Sequence, residues 1–165
     1  MNYETLQTDI AARLAQINTN PSAPIADVQA LPEAESNYKR AAHDRPLITI
    51  FYTGSDYGKG NSDFNSISTD VVTQEESIGF QVNVEGKKLY GATGVYAILN
   101  VVQSLLLGFE PTNCDKIHFK RSALQRDEKD NTLFIFVLEC IVKGYAVEDA
   151  PPDTSALITQ INYIL

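Results

Sequence analysis

Cysteine and histidine are nearly missing from this 165-residue chain, and their scarcity closes off most of the chemistry that depends on them. Cys114 and Cys140 are the only cysteines. Each lies in or beside an apolar, strand-like run, so they read as buried free thiols rather than a disulfide and suit a reducing compartment. A chain of this length buries about 70 % of its unfolded surface and needs neither disulfide nor metal to fold. His43 and His118 have no Cys or His at metal-ligand spacing, which argues against a zinc centre or a catalytic triad. His43, beside Asp44 and Arg45 at a predicted helix end, reads as solvated or capping. His118 falls on the wet face of a predicted strand.

Basic charge is also short. Thirteen Lys and Arg stand against 21 Asp and Glu, a net charge of −8, so the surface repels phosphate and disfavours tight groove binding to nucleic acid. The N-terminus has no basic stretch followed by an apolar one, and so no signal peptide is expected. Leu89–Phe109 carries no charge, but Thr93, Asn100, Gln103, Ser104 and three glycines interrupt it, so it reads as a buried helix and not a membrane span. Gly54–Gly60 is one residue short of a phosphate loop, has no Ser or Thr after Lys59, and precedes no helix pattern. The acids form no motif that fixes two carboxylates across a cleft. No catalytic residue, metal or cofactor is therefore expected, and binding is the expected mode of action.

What is present is a compact pattern of elements. Leu6, Ile10, Leu14 and Ile17 mark a first helix, with Asn2 as its cap. Residues 21–31 read as an irregular connection, and Pro32–Ala42 as a short second helix. Leu47–Tyr52 is a strand, followed by a long polar loop, Gly54–Thr69, whose Asp56, Tyr57, Lys59 and Phe64 are candidate contact residues. In the next strand Ile78, Phe80, Val82 and Val84 share one face, and Gln81, Asn83 and Glu85 share the other, wet face.

The segment 89–107 predicts a helix with a core stripe of Val95, Ile98, Leu99, Val102, Leu105 and Leu106. Its opposite side, with Tyr96, Asn100, Gln103 and Leu107, has no charge at all. Either another element of the chain or another subunit must cover it, and Tyr96, Asn100, Gln103 and Leu107 are the candidate interface. Strands follow at Lys116–Arg121 and, apolar on both faces and so central, at Leu133–Val142. An acidic, proline-bearing hinge then leads to an apolar end, with Leu157, Ile161, Tyr163 and Leu165, that fits a helix or a strand. It is expected to dock on an adjacent subunit or a partner protein, or to pack on its own domain. The fold class is α+β: a mixed or antiparallel sheet of about four strands packed by two to three helices, in a domain over 1–147 with an arm over 148–165.

Three segments carry a resemblance: Leu31–Ala42, Arg45–Ser55, and Gly94–Leu99 running into Leu107–Pro111. Over most of residues 3–145 the chain resembles the tail terminator proteins of long-tailed bacteriophages, close to the group in Mu-like prophages. The resemblance implies a hexameric ring on the finished tail tube that stops tube polymerisation, and sheath polymerisation where the tail contracts. It implies as partners further copies of the chain, the tube protein, the sheath protein of a contractile tail, and neck or connector proteins. The place implied is the tail or neck of a virion assembled in the host bacterial cytoplasm, with DNA passing through unbound. Gln81, Asn83 and Glu85 are the candidates for facing that channel. The alternatives are another neck or tube-capping protein, or a small-molecule-binding regulatory module that uses the 54–69 loop as a lid.

Overall fold

The computed structural model describes residues 3–19, 25–30, 45–58, 73–126 and 133–147. The expected helix over Pro32–Ala42, the contact residues Lys59 and Phe64, His43 and the whole arm from 148 lie outside these. In chain order the described elements are α1 (Tyr3–Ala15), β1 (Asp27–Ala30), β2 (Leu47–Tyr57), β3 (Thr73–Gly86), α2 (Val95–Leu106), β4 (His118–Arg126) and β5 (Phe134–Val147).

The five strands form one sheet in the order β1-β2-β3-β5-β4, antiparallel except for the parallel β1–β2 pair. The fold is α+β with a mixed sheet, as expected, with one strand more than expected. That strand, β1, lies in the segment read as an irregular connection. It is only four residues long, and its four residues carry no alternation strong enough to mark it. A side chain outside it holds the approach to the strand: Asn18 accepts the backbone N–H groups of Ile25 and Ala26 and donates to the Ala26 carbonyl, and β1 then pairs with β2 through its backbone.

Both helices lie on one face of the sheet. Leu6, Ile10 and Leu14 bury one stripe of α1 over β1 and β2, while α2 packs over β3 and β5. The expected core residues of α2 and of β3 meet in a single cluster with Ile48, Ile50, Leu138 and Val142. Polar contacts fix α1 along its length. Gln7 Nε2 donates to the Ile50 carbonyl at 2.9 Å, Asp9 Oδ2 accepts the Thr112 N–H at 2.8 Å, and Arg13 Nε donates to the Leu105 carbonyl at 3.0 Å. Arg13 also lies over the Phe109 ring, 5.3 Å from its centre.

The helix expected from residue 89 starts at Val95. The approach to it is a tight turn that only glycine fits. A Cβ on Gly94 would sit 2.5 Å from the backbone carbonyl carbon and oxygen of Tyr90. This closeness lets the Lys88 and Leu89 carbonyls accept the Val95 and Tyr96 N–H groups. The helix start is therefore closed by its own chain.

Candidate interaction surfaces

Four candidate surfaces follow from the way the helices and strands share the sheet. The first is the outer side of α2. Tyr96, Asn100, Ser104 and Leu107 are exposed, Leu107 by 62 %, and Gln103 is half-buried. No acid occupies the first turn and no base the last. Of the two expected kinds of cover, none comes from the described residues of this chain. The side widens toward the sheet: Tyr90, 77 % exposed, sits 5.6 Å from the Tyr96 ring, which in turn contacts Phe136 at 5.2 Å. Phe136 is the register partner of Leu124, itself exposed, because neither described helix packs over β4. The result is a continuous uncharged surface of aromatic and aliphatic side chains. A patch of that kind marks an interaction site more often than a solvated face.

The second is the sheet face away from the helices, which divides in two. Near the start of β2, Leu47 and Leu133 are buried, as are Thr49 and Glu85, at 1 % and 4 % exposure. Glu85 was expected on a wet face, and that expectation fails at this end of the sheet. Strict alternation in β3 assigns the two faces correctly, but it does not reveal that both are covered here. Asn83 is half-buried, and its Oδ1 and the Oγ1 of its register partner Thr49 have no hydrogen-bond partner among the described residues. Toward the other end the face opens into a polar hollow of about 410 Å³, lined among others by Gly54, Asp56, Gln81, Lys120 and Glu139. Of the three channel candidates, only Gln81 lines this hollow.

The third is the far end of β2. The strand was expected to stop at Tyr52 but runs to Tyr57, so Asp56 and Tyr57 are strand residues and not loop residues. Thr53 is an extra residue in the register between Tyr52 and Gly54, and this slip carries the ladder past the glycine that marked an end in the sequence. Here the Tyr3 ring stacks on Tyr52 at 4.6 Å, and the Tyr3 hydroxyl meets both Tyr57 and Glu76. Glu76 is 1 % exposed on the helix side of β3. Burial alone would raise its carboxyl, but hydrogen bonds from Tyr3, Ser55 and Tyr57 outweigh this and hold it below the ordinary carboxylate range. Sequence inspection passed over Glu76 because its partners are 19 to 73 residues away in sequence, across two other elements. The same geometry lifts Tyr3 above the ordinary phenol range, first through its bond to Glu76.

The fourth is the outer edge of β4, basic as expected, with His118, Lys120 and Arg121 exposed. Neither thiol adds a reactive group. Cys140 is buried, which pushes it up to about 12, and Cys114 is pushed up to about 11 by burial and then by Asp9 and Asp115. Both are free, as expected, but only Cys140 is buried and Cys114 is half-buried.

Among solved structures, the chain is similar to one described as "Virion of native gene transfer agent (GTA) particle", with a TM-score of 0.53 and 15 % identity over 87 % of this chain and 97 % of that one. At that identity the likeness concerns the fold. No curated protein matches. The family model described as "Gp37 protein" matches residues 10–164, nearly the whole chain, and the chain accordingly belongs to the Gp37 protein family.

Proposed function

We propose that this chain is a structural component of a phage-type virion: a tail terminator that forms a ring on the end of the tail tube, stops its polymerisation and joins the tail to the neck. The observation that carries the reading is the uncharged open side of α2, continuous with Tyr90, Tyr96 and Leu124, which a ring contact would bury. The likeness of fold to a chain from a gene transfer agent virion, over 97 % of that chain, supports it. So does the net charge of −8, which denies passing DNA the counterion-release gain that holds nucleic acid to basic surfaces. Tyr96, Asn100, Gln103 and Leu107 are then subunit contacts, and Gln81 faces the channel or the tube. Connector proteins, and the sheath protein of a contractile tail, meet the remaining surfaces.

Imaging of particles made with and without this chain tests the reading. The expected result is a ring at the head-proximal end of the tube and, without the chain, tubes of uncontrolled length with no heads attached. Tubes of normal length that still join heads would sink it. A stable monomer that binds a metabolite would favour the regulatory-module alternative.

A further inference from the structure

We infer that copies of this chain join head to tail through the outer edge of β4 on one copy and the distal edge of β2, Phe51–Tyr57, on the next. The sheet then runs on from subunit to subunit. This rests on the ring reading and names its contact.

Among the described residues the sheet has two open edges, and they lie on opposite sides. Order β1-β2-β3-β5-β4 leaves β4 at one margin. At the other, β1 pairs only with Leu47–Ile50, so from Phe51 onward β2 has β3 on one side and no described strand on the other. Each open stretch presents a row of backbone donors and acceptors that another strand can satisfy.

Charge decides which edge meets which. Lys120 and Arg121 on β4 and Asp56 on β2 are all exposed, and none has an ion-pair partner among the described residues. Asp56 and Lys120 stand on opposite rims of the same polar hollow. Pairing β4 with β4 would set Lys120 and Arg121 against like charges, and pairing β2 with β2 would do the same to Asp56. Only the heterologous pair matches sign. The basic residues and the extra residue at Lys120 guard β4 against indiscriminate pairing, and an acidic edge lifts that guard.

The helix side agrees. Leu124 of β4 and Tyr52 and Tyr57 of distal β2 are all exposed on that side. Direction follows from topology. β2, β3, β5 and β4 alternate, so β4 runs opposite to β2. Continuing the sheet in one sense makes the new pair antiparallel. A repeated heterologous contact gives a ring when its rotation closes, as the ring reading requires.

The test uses the full chain with Cys114→Ser, carrying Asp56→Cys or Lys120→Cys, treated with a short bismaleimide in solution and in particles. The expected result is cross-linked dimers only when the two variants are mixed, and a ladder ending in a closed ring when both changes share one chain. In parallel, Lys120→Glu with Arg121→Glu should weaken self-association at least tenfold, and adding Asp56→Lys should restore it. Cross-links within either variant alone overturn the edge assignment. So does a parent chain that assembles with no Asp56–Lys120 cross-link, or association unmoved by charge reversal. A parent that stays monomeric in solution and in particles overturns the ring reading itself, and the edge contact falls with it.

Discussion

The Tyr3 hydroxyl donates to Oε1 of Glu76 at 2.5 Å, fastening the first turn of α1 to a carboxylate buried 73 residues away on β3. Tyr57 and Ser55, from the far end of β2, complete the cluster, so one buried charge holds three elements at one end of the sheet. Hydroxyl donors rather than a cation neutralise the cost of burial.

Removing the Tyr3 hydroxyl should therefore be expensive for an otherwise conservative change. Tyr3→Phe is expected to destabilise the chain by about 1.5–3 kcal/mol, the range for a hydrogen bond to a charged group. Urea denaturation checks this. A change below about 0.5 kcal/mol would show that the cluster contributes nothing net.

The same cluster sets a pH dependence with two limbs. Glu76 lies lower folded than unfolded. Its contribution is complete above the unfolded carboxylate value, about 4.3, and is lost as pH falls through the lower folded value. Tyr3 lies higher folded than unfolded, so its contribution is complete below about 10 and is lost as pH rises through the folded value. Glu76→Gln should flatten the acid limb in unfolding midpoints taken from pH 7 to pH 3. An acid limb as steep as the parent's would assign that loss of stability to other groups.

Gly94→Ala tests the closed start of α2. The added carbon would meet backbone of Tyr90, which cannot rotate away as a side chain could. The expected cost is about 1–3 kcal/mol, as for overpacking elsewhere. It is accompanied by faster amide exchange at Val95 and Tyr96, whose N–H groups depend on that turn. Unchanged exchange would mean that the turn relaxes freely.

Thr49→Val should do the opposite of a usual core substitution. The Thr49 Oγ1 is buried with no hydrogen-bond partner among the described residues, and valine nearly matches threonine in shape. Removing an unsatisfied hydroxyl is expected to gain up to about 1–3 kcal/mol. Thermal unfolding checks this, and a lower melting temperature would show that the hydroxyl has a partner in solution.

Leu107→Lys separates folding from assembly. The side chain is 62 % exposed, so stability should change by less than about 0.5 kcal/mol. A charge in the open face of α2 should nevertheless block incorporation into particles, read by their protein content. Normal incorporation would remove Leu107 from the contact.

Much of the architecture is legible locally. The repeats of Leu6, Ile10 and Leu14 and of Val95, Ile98, Val102 and Leu106 give both described helices, and alternation in β3 gives its core face. These are short-range patterns set by the 3.6-residue turn and the two-residue pleat. The uncharged side of α2 was legible for the same reason, since charge on a helix face needs no fold to count.

The sequence by itself therefore determined the class of fold, the central place of β5, the two free thiols and the uncharged helix side. Only the tertiary structure decided the rest. It added β1, which exists only through its pairing with β2, and it carried β2 to Tyr57, because a ladder with β3 outlasts the glycine that marks an end locally. It moved Glu85 inside and made Glu76 a structural charge. Burial and pairing depend on what lies across the sheet, and residues distant in sequence meet only once the sheet has formed.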